Sequence, residues 1–132
     1  MKDISENIFK YKNAGILELR QVPYEHPKYY NVITGETKWA SGACMIMPTK
    51  LFRKVKGFDR KIFMYCEDVE ISYHVRKLGY QIIYLNNVSI IHHSYSKPNE
   101  FKKSQYVNSA ANNLYVRFKY GTIKDIIKGL GI

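Results

Sequence analysis

The segment bounded by Gly57 and Gly79 constrains the fold more tightly than any other part of this sequence. Its aromatic-rich first half, Phe58-Asp59-Arg60-Lys61-Ile62-Phe63-Met64-Tyr65-Cys66, delivers two adjacent carboxylates, Glu67 and Asp68. Ile71, Val75 and Leu78 then recur at helical spacing, which predicts a helix that starts near Glu67 and turns those three side chains toward a core. Gly79 is placed to end that helix at the C′ position, with Arg76 and Lys77 in the last turn, where the dipole favours cations. The acidic pair sits at the opposite, positive end. Two roles fit it: acidic residues in a first turn are ordinary helix capping, and a carboxylate held rigidly at a pocket edge is what a general base requires.

Around this segment the pattern alternates strand and helix. Residues 1–38 are polar and punctuated, and Ile4, Ile8, Ile16 and Leu17 fit either a short helix or a strand. Pro23 to Thr37 reads as loop, with two prolines and the turn signal Thr34-Gly35-Glu36. The run Trp39-Ala40-Ser41-Gly42-Ala43-Cys44-Met45-Ile46-Met47 predicts a buried strand in which Gly42 and Ala43 permit close approach of another group. Pro48-Thr49 ends it, with Thr49 able to cap a short helix from Lys50 to Val55. Beyond Gly79, strands are expected over 80–85 and 88–92, separated by a turn at Asn86-Asn87. A helix over about 100–120 follows, closed by Gly121. In 122–132, Ile123, Ile126, Ile127 and Leu130 recur at helical spacing beside Lys124 and Lys128, an amphipathic tail. The fold class expected is α/β: a small mixed sheet packed with helices.

A chain of 132 residues with 45% hydrophobic content is expected to form one domain, 1–132, with a real core. No run is apolar enough to span a bilayer, and no apolar signal segment follows Met1. Cys44 and Cys66 read as buried free thiols, and with His92 and His93 they lack the paired short spacings of a strong zinc site. The net charge of +10 suits an anionic partner: a nucleic acid, a phospholipid surface or a diphosphate-bearing substrate.

Five short motifs occur in order: Trp39-x-Ser41-Gly42-Ala43-Cys44; Gly57-Phe58-Asp59; Phe63-x-Tyr65-x-Glu67-Asp68-Val69-Glu70; Gly79-Tyr80; and Ile91-His92-His93. The series resembles the second half of family 2 glycosyltransferases, in particular the rhamnosyltransferase-like branch that builds bacterial surface polysaccharides, over roughly residues 38–120. The resemblance implies the C-terminal portion of a GT-A fold and inverting sugar transfer from a nucleotide-sugar donor to a saccharide or lipid-linked acceptor. It makes Asp68 the general base and Glu67 the neighbour that holds the acceptor or orients the base. It places Trp39, Ser41 and Gly42 along the donor and acceptor cleft, and His92 in a divalent-metal (manganese or magnesium) site beneath the diphosphate.

The sequence departs from the family at two points. The Asp-x-Asp metal motif of the family's first half has no match, since Asp68-Val69-Glu70 has the spacing but occupies the base position. Lys38 stands where relatives often carry an acidic residue. The implied picture is a partial enzyme, inactive without a nucleotide-binding half, paired with an N-terminal partner chain or with itself. A cytoplasmic location is expected, with the basic amphipathic tail suited to the anionic inner face of a membrane. Two other classes compete. The charge and twelve tyrosines would suit a nucleic-acid-binding module, although no such motif is present. A non-catalytic interaction domain could also keep the scaffold.

Overall fold

The computed structural model describes residues 10–93 and 103–131. It is an α/β structure, as expected. A four-stranded mixed sheet has the order β2-β4-β1-β3, with β1 at Ala14–Val22, β2 at Glu36–Thr37, β3 at Met45–Ile46 and β4 at Gln81–Ile91. The helices with bounds among the described residues are α1 (Thr49–Lys54), α2 (Glu67–Lys77), α3 (Lys103–Tyr120) and α4 (Ile123–Gly129). β1 and β4 pair in parallel, while β2 and β3 add antiparallel to the outer sides.

β1 is the strand that the polar first third of the sequence concealed. It lies at the centre of the sheet and buries both faces, so Ile16 and Leu17 enter different clusters. Ile16 packs with Ile82, Leu51, Val55, Ile71 and Val75 beneath α1 and α2, while Leu17 packs with Ile83 and Leu85 on the opposite face. Parallel pairing requires such two-sided cover.

Several expected boundaries shift. The run 39–47 contributes only Met45–Ile46 to the sheet as a strand; Cys44 O still accepts the Leu19 N–H of β1 at 3.3 Å, while Ala40 and Gly42 bond to α2 instead. The two strands over 80–85 and 88–92 are one strand, β4. The register passes from Leu19↔Leu85 to Arg20↔Ser89, so Asn86, Asn87 and Val88 are accommodated as an irregularity, with β1 paired on both sides of it. α1 begins at Thr49 itself behind Pro48, with no side-chain cap. The helix over 100–120 is described from Lys103 onward; its expected start lies outside the described residues.

α2 runs as expected from Glu67 and buries Ile71 and Val75 completely. Leu78 does not follow them into the core and is 38% exposed. Gly79 terminates the helix with φ +84°. Its N–H reaches Arg76 O at 2.9 Å and the Tyr80 N–H reaches Val75 O at 3.4 Å. These two bonds form a Schellman motif, with the one residue type that enters the left-handed region freely at C′.

Candidate functional site

The acidic pair is delivered by a strained turn. Tyr65 and Cys66, neither of them glycine, have φ of 67° and 68° immediately before the helix. Such a conformation persists only where its surroundings hold it. α3 supplies the hold. The Asn112 amide donates to Met64 O at 2.8 Å and to Tyr65 O at 2.9 Å, and Cys66 Sγ reaches Ser109 O at 3.6 Å. Burial, together with Asp68 and Glu67, pushes the Cys66 thiol up to about 11, so it stays protonated at neutral pH.

Residues 38–42 lie along α2. Arg76 Nη1 donates to Lys38 O at 3.1 Å, the Ala40 N–H to Ser72 Oγ at 3.1 Å and the Gly42 N–H to Asp68 Oδ2 at 3.0 Å. Alternate residues of an extended segment thus meet helix positions spaced by four, and the segment runs antiparallel to the helix. This ladder explains why the first part of the expected strand is not in the sheet: backbone groups of Lys38, Ala40 and Gly42 are committed to α2. It also places Asp68, whose Oδ1 accepts the Val69 N–H at 2.8 Å and whose carbonyl accepts from Ser72 Oγ at 2.7 Å. Each carboxylate oxygen holds one backbone donor and keeps a further lone pair.

Gly42 was expected to permit close approach, and it does face the acidic pair. A methyl group at its Cα would lie 3.7 Å from Asp68 Oδ2 and 4.0 Å from Glu67 Oε1, ordinary contact distances. Glu67 Oε2 is buried and has no hydrogen-bond partner among the described residues. An unpaired buried carboxylate oxygen is costly, so this atom marks a place where a ligand donor would be welcome.

Trp39 and Ser41 alternate with the ladder residues and belong to a charged layer that sequence reasoning missed. Ser41 is buried and its backbone bonds to Glu18 of β1. Glu18 pairs with Lys28, whose side chain is as buried as its own. Lys28 Nζ lies 4.1 Å from the Trp39 ring centroid and 5.5 Å from that of Tyr84. Desolvation is the largest influence on both ions, raising the Glu18 pKa and lowering that of Lys28. His26 stands edge-on to Trp39 at 5.9 Å. Desolvation and then the Lys28 charge lower its pKa, against an opposing pull from Asp68. Trp39 therefore packs against a cation over its ring and against an imidazole in a T-shaped contact. The one available sequence signal was Glu18 inside the apolar run Ile16-Leu17-Glu18-Leu19; a lone loop lysine gave none.

His92 lies just past the end of β4, its N–H bonded to Val22 O at 2.9 Å. Its Nδ1 is 2.8 Å from Gln21 Oε1, and in the neutral tautomer that donates to this acceptor, Nε2 presents its lone pair. That arrangement suits a metal ligand. Among the described residues no three His, Cys, Asp or Glu side chains come together to hold a metal, so Cys44, Cys66, His92 and His93 form no zinc site.

Comparison with known proteins gives partial matches. The chain is 36% identical over 55 residues to N-acetylglucosaminyl-diphospho-decaprenol L-rhamnosyltransferase of two Mycobacterium tuberculosis strains, covering 42% of this chain and 18% of the relative. It is 30% identical over 63 residues to rhamnosyltransferase WbbL of Escherichia coli K12, covering 48% of this chain and 24% of the relative. This chain is partly similar to rhamnosyltransferases. Less than a quarter of each relative's length is spanned. No protein-family model matches the chain, and no solved structure matches it significantly.

Proposed function

We propose that this chain provides the acceptor-binding and general-base part of an inverting glycosyltransferase of bacterial surface-polysaccharide synthesis. The carrying observation is the Gly42–Asp68 hydrogen bond. It joins the Trp39–Gly42 segment to the acidic pair, in a chain whose similarity is to rhamnosyltransferases. Asp68, fixed by the Gly42 and Val69 N–H groups, takes the proton of an acceptor hydroxyl. The freed oxygen bonds to the anomeric carbon of the donor sugar as the bond to the nucleoside diphosphate breaks on the opposite face. Glu67, whose Oε2 has no partner among the described residues, holds a second hydroxyl of the acceptor. Trp39, backed by Lys28, offers an apolar ring for a sugar face.

A divalent metal, manganese or magnesium, would neutralise the leaving diphosphate. His92 Nε2 is the donor this chain offers it, and the other ligands belong to a nucleotide-binding half. The names of the relatives make a nucleotide-rhamnose donor and a polyprenyl-diphosphate-linked sugar acceptor the first pair to test.

The test is Asp68→Asn in a transfer assay, with this chain joined to the nucleotide-binding half of a rhamnosyltransferase. The amide is nearly isosteric and keeps an accepting oxygen for Gly42 but cannot take the proton, so turnover should fall by about 10²–10⁴. Glu67→Gln should act mainly on acceptor KM, and raised manganese should partly rescue His92→Ala. Near-normal turnover of Asp68→Asn with a dead Glu67→Gln would reverse the two roles. Unaffected turnover in both would leave the pair a helix cap.

A further inference from the structure

Residues 50–64 carry six cations, Lys50, Arg53, Lys54, Lys56, Arg60 and Lys61, and a single anion, Asp59. All six cations are exposed. The anion is internally committed: Asp59 Oδ2 accepts from Lys119 Nζ and from Tyr115 Oη, each at 2.7 Å. The same segment displays large apolar side chains to solvent, with Phe63 90% exposed, Phe58 45% and Met64 44%.

An isolated exposed phenylalanine is common on soluble proteins. Here the surrounding backbone is pinned, so the exposure is built in. Asp59 Oδ1 accepts the Lys61 N–H at 2.9 Å and Asp59 O accepts the Ile62 N–H at 3.0 Å, closing a turn with Arg60 and Lys61 at its middle positions. Ile62 is buried and anchors the turn, while Asn112 clamps the next two carbonyls, those of Met64 and Tyr65. Phe63 stands between these two fixed points. Phe58 meets Phe52 of α1 edge-on at 5.7 Å, which joins α1 and the turn into one basic and aromatic surface. Glu67 and Asp68 follow Met64 by three and four residues.

We propose that this surface, α1 together with the turn to Met64, docks on an anionic lipid bilayer, with Phe63 and Met64 entering the headgroup region and the surrounding cations facing lipid phosphates. Cations around exposed aromatic and thioether side chains are complementary to an anionic interface in both charge and polarity. The apolar tip adjoining the carboxylates would bring the acidic pair to the membrane surface, where the headgroup of a lipid-linked acceptor is presented. That last step rests on the transferase reading; the docking itself does not.

The experiment is co-sedimentation of the full chain with phosphatidylcholine vesicles, with and without phosphatidylglycerol. Binding should require the anionic lipid and weaken with salt. Phe63→Ser with Met64→Ser should lower partitioning by about tenfold or more, and Arg60→Glu with Lys61→Glu by a similar factor, from the usual worth of apolar burial and of surface cations. Circular dichroism should show both variants folded, since the replaced side chains are exposed. Ile123→Ser with Ile127→Ser, which alters the exposed apolar row of α4, should bind like the parent. Failure to bind anionic vesicles, equal binding to neutral ones, or parent-like binding by the two turn variants would overturn the proposal, as would loss in the α4 variant alone. Tight oligonucleotide binding lost with the cations but kept in the Phe63 variant would overturn it in favour of a nucleic-acid surface. Transfer activity is not read, so failure here leaves the catalytic reading to its own assay.

Discussion

Glu18 and Lys28 show how much of the site depends on groups that touch no reacting atom. Both side chains are almost fully desolvated. In such a pair the attraction offsets the burial cost only while both partners are present. Lys28→Met should therefore destabilise the chain by about 3–5 kcal/mol, because it strands the Glu18 carboxylate. Changing both residues to methionine should cost much less. Urea unfolding of the three proteins measures this, and a single variant as stable as the parent would show that the pair is not closed in solution. Lys28 also lies over Trp39, so the double variant should alter Trp39 fluorescence even where stability recovers. The position of Glu67 and Asp68 at a helix start was legible in the sequence because two neighbouring carboxylates ahead of a helical apolar spacing form a local pattern. Glu18 and Lys28 were not, because their meaning arises only when β1 and the following loop come together.

Among the elements, α3 braces the acidic pair from outside the sheet. Asn112 holds the two carbonyls preceding the left-handed Cys66, and Lys119 bridges Asp59 and the buried Glu70, each at 2.7 Å. Tyr120 adds a hydrogen bond to Glu70, and burial followed by that bond pushes its phenol up to about 12. Asn112→Ala should cost about 1–2 kcal/mol for the two lost hydrogen bonds, read from urea unfolding. A value near zero would show that the Tyr65–Cys66 turn holds itself. The Asp59–Lys119 bridge also predicts a pH response. The Lys119 hydrogen bond, then the Lys61 N–H, hold the Asp59 pKa well below its usual 3.8. Burial opposes the Lys119 charge, but its bonds to Asp59 and Glu70 outweigh that and raise its pKa above 10.5. A lowered acid stabilises above its unfolded pKa and loses that contribution as pH falls through the folded value; a raised base does the reverse at high pH. The thermal-stability gap between the parent and Asp59→Asn should thus be full at neutral pH and narrow below pH 3.8. A gap independent of pH would break the assignment. At this scale the sequence spoke clearly where a residue has one physical use: Gly79 could be placed at C′ because its backbone freedom is needed there. It misled where local and global signals compete. Asn86-Asn87 carries a turn signal, yet β1 pairs on both sides and absorbs it within β4. The apolar run 39–47 has strand composition, but only Met45–Ile46 joins the sheet, while α2 takes the backbone groups of Ala40 and Gly42.

For the whole molecule, the proposed base and acceptor platform would make only half of a sugar transfer. The donor's diphosphate must also be bound and its charge neutralised as it leaves. The sequence has no Asp-x-Asp, and the metal donor proposed for this chain, His92, is a single imidazole whose Nδ1 lies 2.8 Å from Gln21 Oε1. The net charge of +10 would attract any nucleotide weakly, without fixing its orientation. Calorimetry on this chain with nucleotide-rhamnose and manganese should accordingly show only weak binding that disappears as salt is raised, since exposed charges are screened within about 10 Å at 0.1 M ionic strength. Joining the nucleotide-binding half of a rhamnosyltransferase should convert this to saturable, salt-tolerant, metal-dependent binding that Asp68→Asn leaves intact, because the role proposed for that carboxylate is to take the acceptor's proton. Micromolar, metal-dependent affinity in the chain alone would place a donor site within these 132 residues and overturn the division of labour. Donor binding lost with Asp68→Asn in the joined protein would instead make Asp68 part of the donor site, leaving the acceptor without its base.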